Sequence, residues 1–232
     1  EGGMSPNDDS TVTVDYVLSL KGGDEVERKT QATFALSEGH ADPALETAIK
    51  DMKKGEHARV TIAPSAGEVA NVPKDAVRVY DVTLTDFVKP KATWEMTVEE
   101  KFETCAKQRA EGNDLYRAGN VAVALRRYNR ALECVQSEYQ MSDDDKKKAV
   151  EQKIPLHLNI AACMMAKKDY KEAIAHCGKA LEHDKDNLKA LVRRAKCYNI
   201  IDDWDSCQAD VDKVLELDAE NKDAKKELAI LK

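Results

Sequence analysis

The chain has 232 residues and a net charge of −7, with 42% apolar, 34% charged and only 5% aromatic residues. That length fits one or two domains with proper cores, and the charge content favours helices with heavily charged outer faces. An acidic chain argues against nonspecific binding to nucleic acid or anionic membrane, and no apolar run approaches the ~20 residues of a membrane span. No secretory signal is visible. Glu1-Gly2-Gly3 reads as a non-native remnant, so the native chain is expected to begin further upstream.

Residues 10–89 carry strand patterns. Thr11–Leu18 alternates as a half-buried strand does, Thr33–Leu36 is a short second strand, Ala58–Ile62 a third and Val77–Leu84 a fourth. Between the second and third, Pro43–Met52 predicts one helix with Leu45, Ala48, Ile49 and Met52 on its inner face. One short helix against an antiparallel sheet is an α+β domain. Pro90 ends the last strand, and the next helix is expected near Thr97.

Several runs in this region resemble the FKBP peptidyl-prolyl isomerases: Val12-Thr13-Val14-Asp15-Tyr16, Met52-Lys53-Lys54-Gly55-Glu56, Ile62-Ala63-Pro64 and Tyr80–Leu84. Ala92-Thr93-Trp94-Glu95-Met96 is similar to the segment that leads into the helical repeats of the large FKBP immunophilins. The resemblance implies a substrate pocket whose positions are changed here. Leu45 stands where the family has its tryptophan floor, and Ala41-Asp42 where it has Val-Ile. Val26-Glu27 stands for a Phe-Asp wall, and the loop tyrosine is missing because Ala66 runs directly into Gly67. Tyr16, Phe34 and Tyr80 still match aromatic pocket positions, although core packing accounts for them equally well. An Asp in an apolar wall opposes binding of an apolar ligand through its desolvation cost. The implied reading is a degenerate, non-catalytic FKBP domain.

The second half is a repeat. Ala195, Tyr198, Cys207, Val211 and Val214, stepped back by 34, become Ala161, Met164, Ala173, Cys177 and Ala180. A further step of 49 gives Gly112, Leu115, Ala124, Tyr128 and Ala131, and the 15 additional residues fall in the polar run Val135–Lys153. Small residues at close-contact points with a 34-residue period resemble the tetratricopeptide repeat (TPR). Three units are expected at about 105–139, 154–187 and 188–219, after a linker at 90–96, with a capping helix at 220–232. Residues 143–148 are expected to be an exposed loop. All six cysteines lie in this half without Cys-x-x-Cys spacing, which favours buried reduced thiols over a disulfide or zinc framework. His176 has no partner at ligand spacing, and no metal or other cofactor is expected.

Lys189 and Arg193, four apart on one helical face, repel each other by roughly 0.2–0.5 kcal/mol. In the large FKBPs and related co-chaperones, such positions form a two-carboxylate clamp for the C-terminal Glu-Glu-Val-Asp of heat-shock proteins 90 and 70. The resemblance carries that role onto Arg109 and Asn113 of the first repeat, Asn159 of the second, and Lys189 and Arg193 of the third. Arg109 stands where lysine is common; its planar fork is the more demanding geometrically. The reading is a co-chaperone adaptor, cytoplasmic or also nuclear, with the FKBP module as scaffold or client contact. The alternative is an isomerase active in this domain or in a further FKBP domain upstream. Calmodulin is a family partner whose segment would lie beyond residue 232.

Overall fold

The computed structural model describes residues 4–230 apart from 24, 40, 65–71 and 74. It divides into two compact units between Ala92 and Thr93. The first contains β1 (Thr11–Leu20), β2 (Glu25–Ala35), α1 (Pro43–Asp51), β3 (His57–Ile62) and β4 (Arg78–Val88). The strands form one antiparallel sheet in the order β2-β1-β4-β3.

Alternation decides which face of this sheet is covered. Val12, Val14, Tyr16 and Leu18 of β1 point inward with Tyr80, Val82 and Leu84 of β4, onto Leu45 and Ile49 of α1 and Met52 at its end. Asp42 caps α1, its carboxylate accepting from the Ala44 amide at 3.0 Å, and Pro43 follows at the first helical position. The buried Glu46 side chain reaches back to the loop before the helix and accepts from the Ser37 amide at 2.6 Å.

The second strand is much longer than the expected Thr33–Leu36. It begins at Glu25, runs along the sheet edge with mostly exposed side chains, and shifts register opposite Asp15. There Gln31 adopts φ 51° and donates its amide to Asp15 Oδ1 at 2.6 Å. An edge strand with one solvated face needs no apolar alternation, so residues 25–32 carry little strand pattern.

The second unit opens with a short 3-10 turn (Thr93–Glu95) and seven helices: α2 (Val98–Arg117), α3 (Val121–Gln136), α4 (Asp143–Ala166), α5 (Tyr170–His183), α6 (Leu188–Ile200), α7 (Trp204–Leu217) and α8 (Lys222–Ile230). Thr97 and Glu100 form a reciprocal capping box at the start of α2. The repeat positions face one another in the core. Ala124, Ala131, Ala161, Ala173, Cys177, Ala180, Cys207, Val211 and Val214 are inaccessible. Gly112 lies so close to the Tyr128 ring that a Cβ built on it would be 2.7 Å from a ring carbon. The turns between the paired helices repeat as well: Gly119, Lys168 and Asp202, spaced by 49 and 34, all have φ between 61° and 84°.

Residues 143–148 are helical, which corrects the expected loop. Ser142 caps α4, and Asp143, Asp144 and Asp145 occupy its first turn, where the helix dipole favours negative charge. Each pairs with the lysine three residues on, at 3.2, 3.6 and 3.5 Å. A helical ladder of opposite charges reads in sequence as a solvated run, and Pro155, now inside α4, resembles a helix start. The six thiols are free and buried, and burial pushes Cys177 up to about 12.

His176 does have a partner. Its Nδ1 lies 3.0 Å from Nδ1 of His157 on α4, so one imidazole N–H donates to the other ring. Burial, then the neighbouring cationic groups, pushes His157 down to about 4, and burial with Lys179 lowers His176 too.

Candidate functional site

In the sheet unit, the family pocket positions are divided between the core and a shallow cleft. The cleft, about 370 Å³, is lined by Tyr16, Lys29, Ala32, Thr33, Phe34 and Ala41. Tyr16 donates its hydroxyl to Glu27 at 2.7 Å, and Lys29 stands 3.0 Å from the same carboxylate and 5.9 Å from the Tyr16 ring centre. The Tyr16 hydroxyl, followed by Lys29, holds Glu27 below the usual carboxylate range, while burial raises Tyr16.

Leu45 is 1% exposed and packs in the core, as does Tyr80, whose ring meets Tyr16 edge-on at 5.8 Å. Burial and then the nearby Asp42 charge raise the Tyr80 phenol. Asp42 does not stand in the cleft wall as expected. Its fully buried carboxylate caps α1 and pairs with the equally buried Arg78 at 3.1 Å. Val26 packs partly against the core, and Gly67 lies outside the described residues.

In the repeat unit, the first helix of each pair contributes one stripe of site residues. Asn113 of α2 receives two hydrogen bonds on its Oδ1, from Tyr128 at 2.9 Å and from Asn159 of α4 at 3.1 Å. With its oxygen taken, Asn113 has its amide N–H groups left as donors for a ligand. Arg193 of α6 donates from Nη1 to the Leu158 carbonyl, beside Asn159. Lys189 is exposed and lines, with Arg193, a groove of about 610 Å³ shared by α2, α4, α5, α6 and α8. Arg109 stands one turn before Asn113 on α2, half-buried, with no hydrogen bond or ion pair to the other four.

The fold therefore joins Asn113, Asn159 and the Arg193 side chain across three helices. The arrangement offers amide and cationic donors and no carboxylate among those five residues, which suits an anionic ligand. Sequence reasoning missed Tyr128 as the group that orients Asn113, and Tyr116, Tyr170, Lys196 and Lys226 as further groove residues. Lys196 had a signal, three residues after Arg193 on the same stripe; Lys226, on another helix, had none.

Comparison with known proteins agrees with both halves. The profile of the family described as FKBP-type peptidyl-prolyl cis-trans isomerase matches residues 2–85, and that of the tetratricopeptide repeat matches residues 164–231. The Bos taurus peptidyl-prolyl cis-trans isomerase FKBP4 is 34% identical over 99% of this chain and 52% of its own length. The chain spans about half the length of the curated relatives it matches. Among solved structures, the C-terminal TPR-containing domain of a Plasmodium falciparum FK506-binding protein is 26% identical, with TM-score 0.57, over 60% of this chain and 93% of its own. A multi-domain immunophilin from Arabidopsis thaliana, 29% identical with TM-score 0.50, covers 91% of this chain and 89% of its own. The chain carries an FKBP-type domain followed by tetratricopeptide repeats, an arrangement similar to that of the large FKBP-type immunophilins.

Proposed function

We propose that this chain is a co-chaperone adaptor whose repeat unit binds the C-terminal Glu-Glu-Val-Asp of heat-shock protein 90 or 70. The observation that carries the reading is the Asn113–Asn159 contact beside the Arg193–Leu158 hydrogen bond, with Arg193 and the exposed Lys189 lining the adjoining groove. A C-terminal aspartate presents two carboxylates. Cationic side chains and amide N–H groups from three helices match them with charge-assisted hydrogen bonds. In this reading Arg109 supplies a further cation from α2 when ligand is present, and the chain acts where those chaperones are, in the cytoplasm or nucleus. The FKBP-type domain serves as a non-catalytic scaffold or client contact.

Titration of Met-Glu-Glu-Val-Asp, as free acid and as C-terminal amide, tests the clamp. The acid should bind and the amide should lose most affinity. Charge-assisted bonds are worth about 1.5–3 kcal/mol each, so Lys189→Ala with Arg193→Ala should weaken the acid at least a hundredfold with unchanged helicity. Equal binding of acid and amide, or wild-type affinity in the double variant, refutes the assignment.

A further inference from the structure

Lys189 and Arg193 occupy only part of their groove. Farther along, it is lined by Lys196 and Ile200 of α6 and by Lys226 of α8, while Arg109, Asn113 and Asn159 lie outside its lining. Lys189, Arg193 and Lys196 follow one another at i, i+4 and i+7, so they form one stripe along α6. Among the described residues, neither Lys196 nor Lys226 has an ion-pair or hydrogen-bond partner, whereas the neighbouring Lys225 pairs with Glu220 at 2.9 Å. Two acids share the groove. Glu227 is buried, and its carboxylate accepts from Asn199 Nδ2 at 2.8 Å; Asp223 is exposed in the first turn of α8. Four cations against two acids leave this groove basic on a chain that is acidic overall.

We infer that Lys196 and Lys226 form a second carboxylate subsite, which reads an acidic side chain about three residues upstream of the ligand's C-terminus. This rests on the clamp reading and extends it. Seven residues separate Lys189 from Lys196, about 10 Å along a helix at ~1.5 Å per residue. An extended peptide covers that distance in about three residues at ~3.3–3.6 Å each. A peptide whose terminal carboxylate sits at Lys189 and whose chain follows the groove past Arg193 brings the third residue before its last beside Lys196. Lys226 faces the same space from α8. Tyr116 and Ile200 supply apolar surface beside these cations, so the preferred ligand has apolar side chains interspersed with its acidic ones.

A double-mutant cycle across the interface tests the subsite. Met-Glu-Glu-Val-Asp and Met-Gln-Glu-Val-Asp, which differ at the third residue before the last, are titrated into the full chain and into Lys196→Ala/Lys226→Ala. Both lysines are exposed, and matching thermal melts establish that the variant is folded. The wild type should prefer the Glu peptide about tenfold, and the variant should bind both peptides alike. Equal binding of the two peptides by the wild type overturns the subsite while leaving the clamp intact. An undiminished tenfold preference in the variant does the same. Absence of binding by either peptide overturns the clamp reading and the subsite together.

Discussion

Asp42 and Lys189 stand at expected ligand-binding positions in the two units, and they meet opposite surroundings. Asp42 is sealed in the sheet unit with Arg78 and the first turn of α1. Lys189 is exposed on α6, without an ion-pair partner among the described residues. Leu45 and Tyr80 follow Asp42 into the core, whereas Asn113 and Asn159 hold each other, half-buried, between α2 and α4. A pocket residue sealed in the interior against a partner of its own has little left for a ligand. A groove residue whose charge is unmet keeps its binding capacity at some cost in local stability.

Drug binding breaks this comparison most directly. The sheet unit should show no submicromolar affinity for tacrolimus and no prolyl isomerisation above the uncatalysed rate, because each lost large apolar contact removes roughly 1.5–3 kcal/mol. Calorimetric titration and a coupled isomerase assay check both halves. Leu45→Trp should not rescue either activity, since position 45 points into the core and the larger ring overpacks it by about 1–3 kcal/mol. Tight binding by the wild type would place the sheet unit with the repeat unit, as a site still in use.

Arg78→Ala sharpens the same contrast through stability. It leaves the Asp42 carboxylate buried without its cation, which costs about 3–5 kcal/mol. Denaturant melts should show the sheet unit's transition shifted and the repeat unit's unmoved. A shift below about 1 kcal/mol would mean that the Asp42–Arg78 pair is solvated and contributes no more than a surface ion pair.

The smallest effect concerns the imidazole pair of the repeat unit, His157 buried and His176 half-buried. An unfolded imidazole takes up a proton near pH 6.5, whereas folded His157 does so only at about 4. Between those values the unfolded chain binds more protons, so stability is complete above pH 6.5 and falls as the pH drops toward 4. The loss should be about 2 kcal/mol from roughly pH 7.5 to roughly pH 5. His157→Gln should flatten that slope in urea melts of the repeat unit, and an unchanged slope would assign the acid sensitivity to other groups.

Much of this architecture is legible along the chain because it follows local rules. The alternation of Val12, Val14, Tyr16 and Leu18, the Asp42-Pro43 helix start and the Thr97–Glu100 capping box act within a few residues. The 34-residue period of small residues reports helix packing, since a close approach such as Gly112 on Tyr128 tolerates nothing larger. Tertiary structure decided what period and propensity do not encode. Residues 25–32 became a strand because β1 had an open edge for them, whereas the Ser142 cap and the i,i+3 charge pairs of residues 143–148 are local signals concealed in a polar run. Asp42 found Arg78, His176 found His157 and Lys196 came to share a groove with Lys226 across 36, 19 and 30 residues of chain. Such pairings depend on which side chains the packed backbone brings within a few ångströms, and that information is absent from the order of residues read locally.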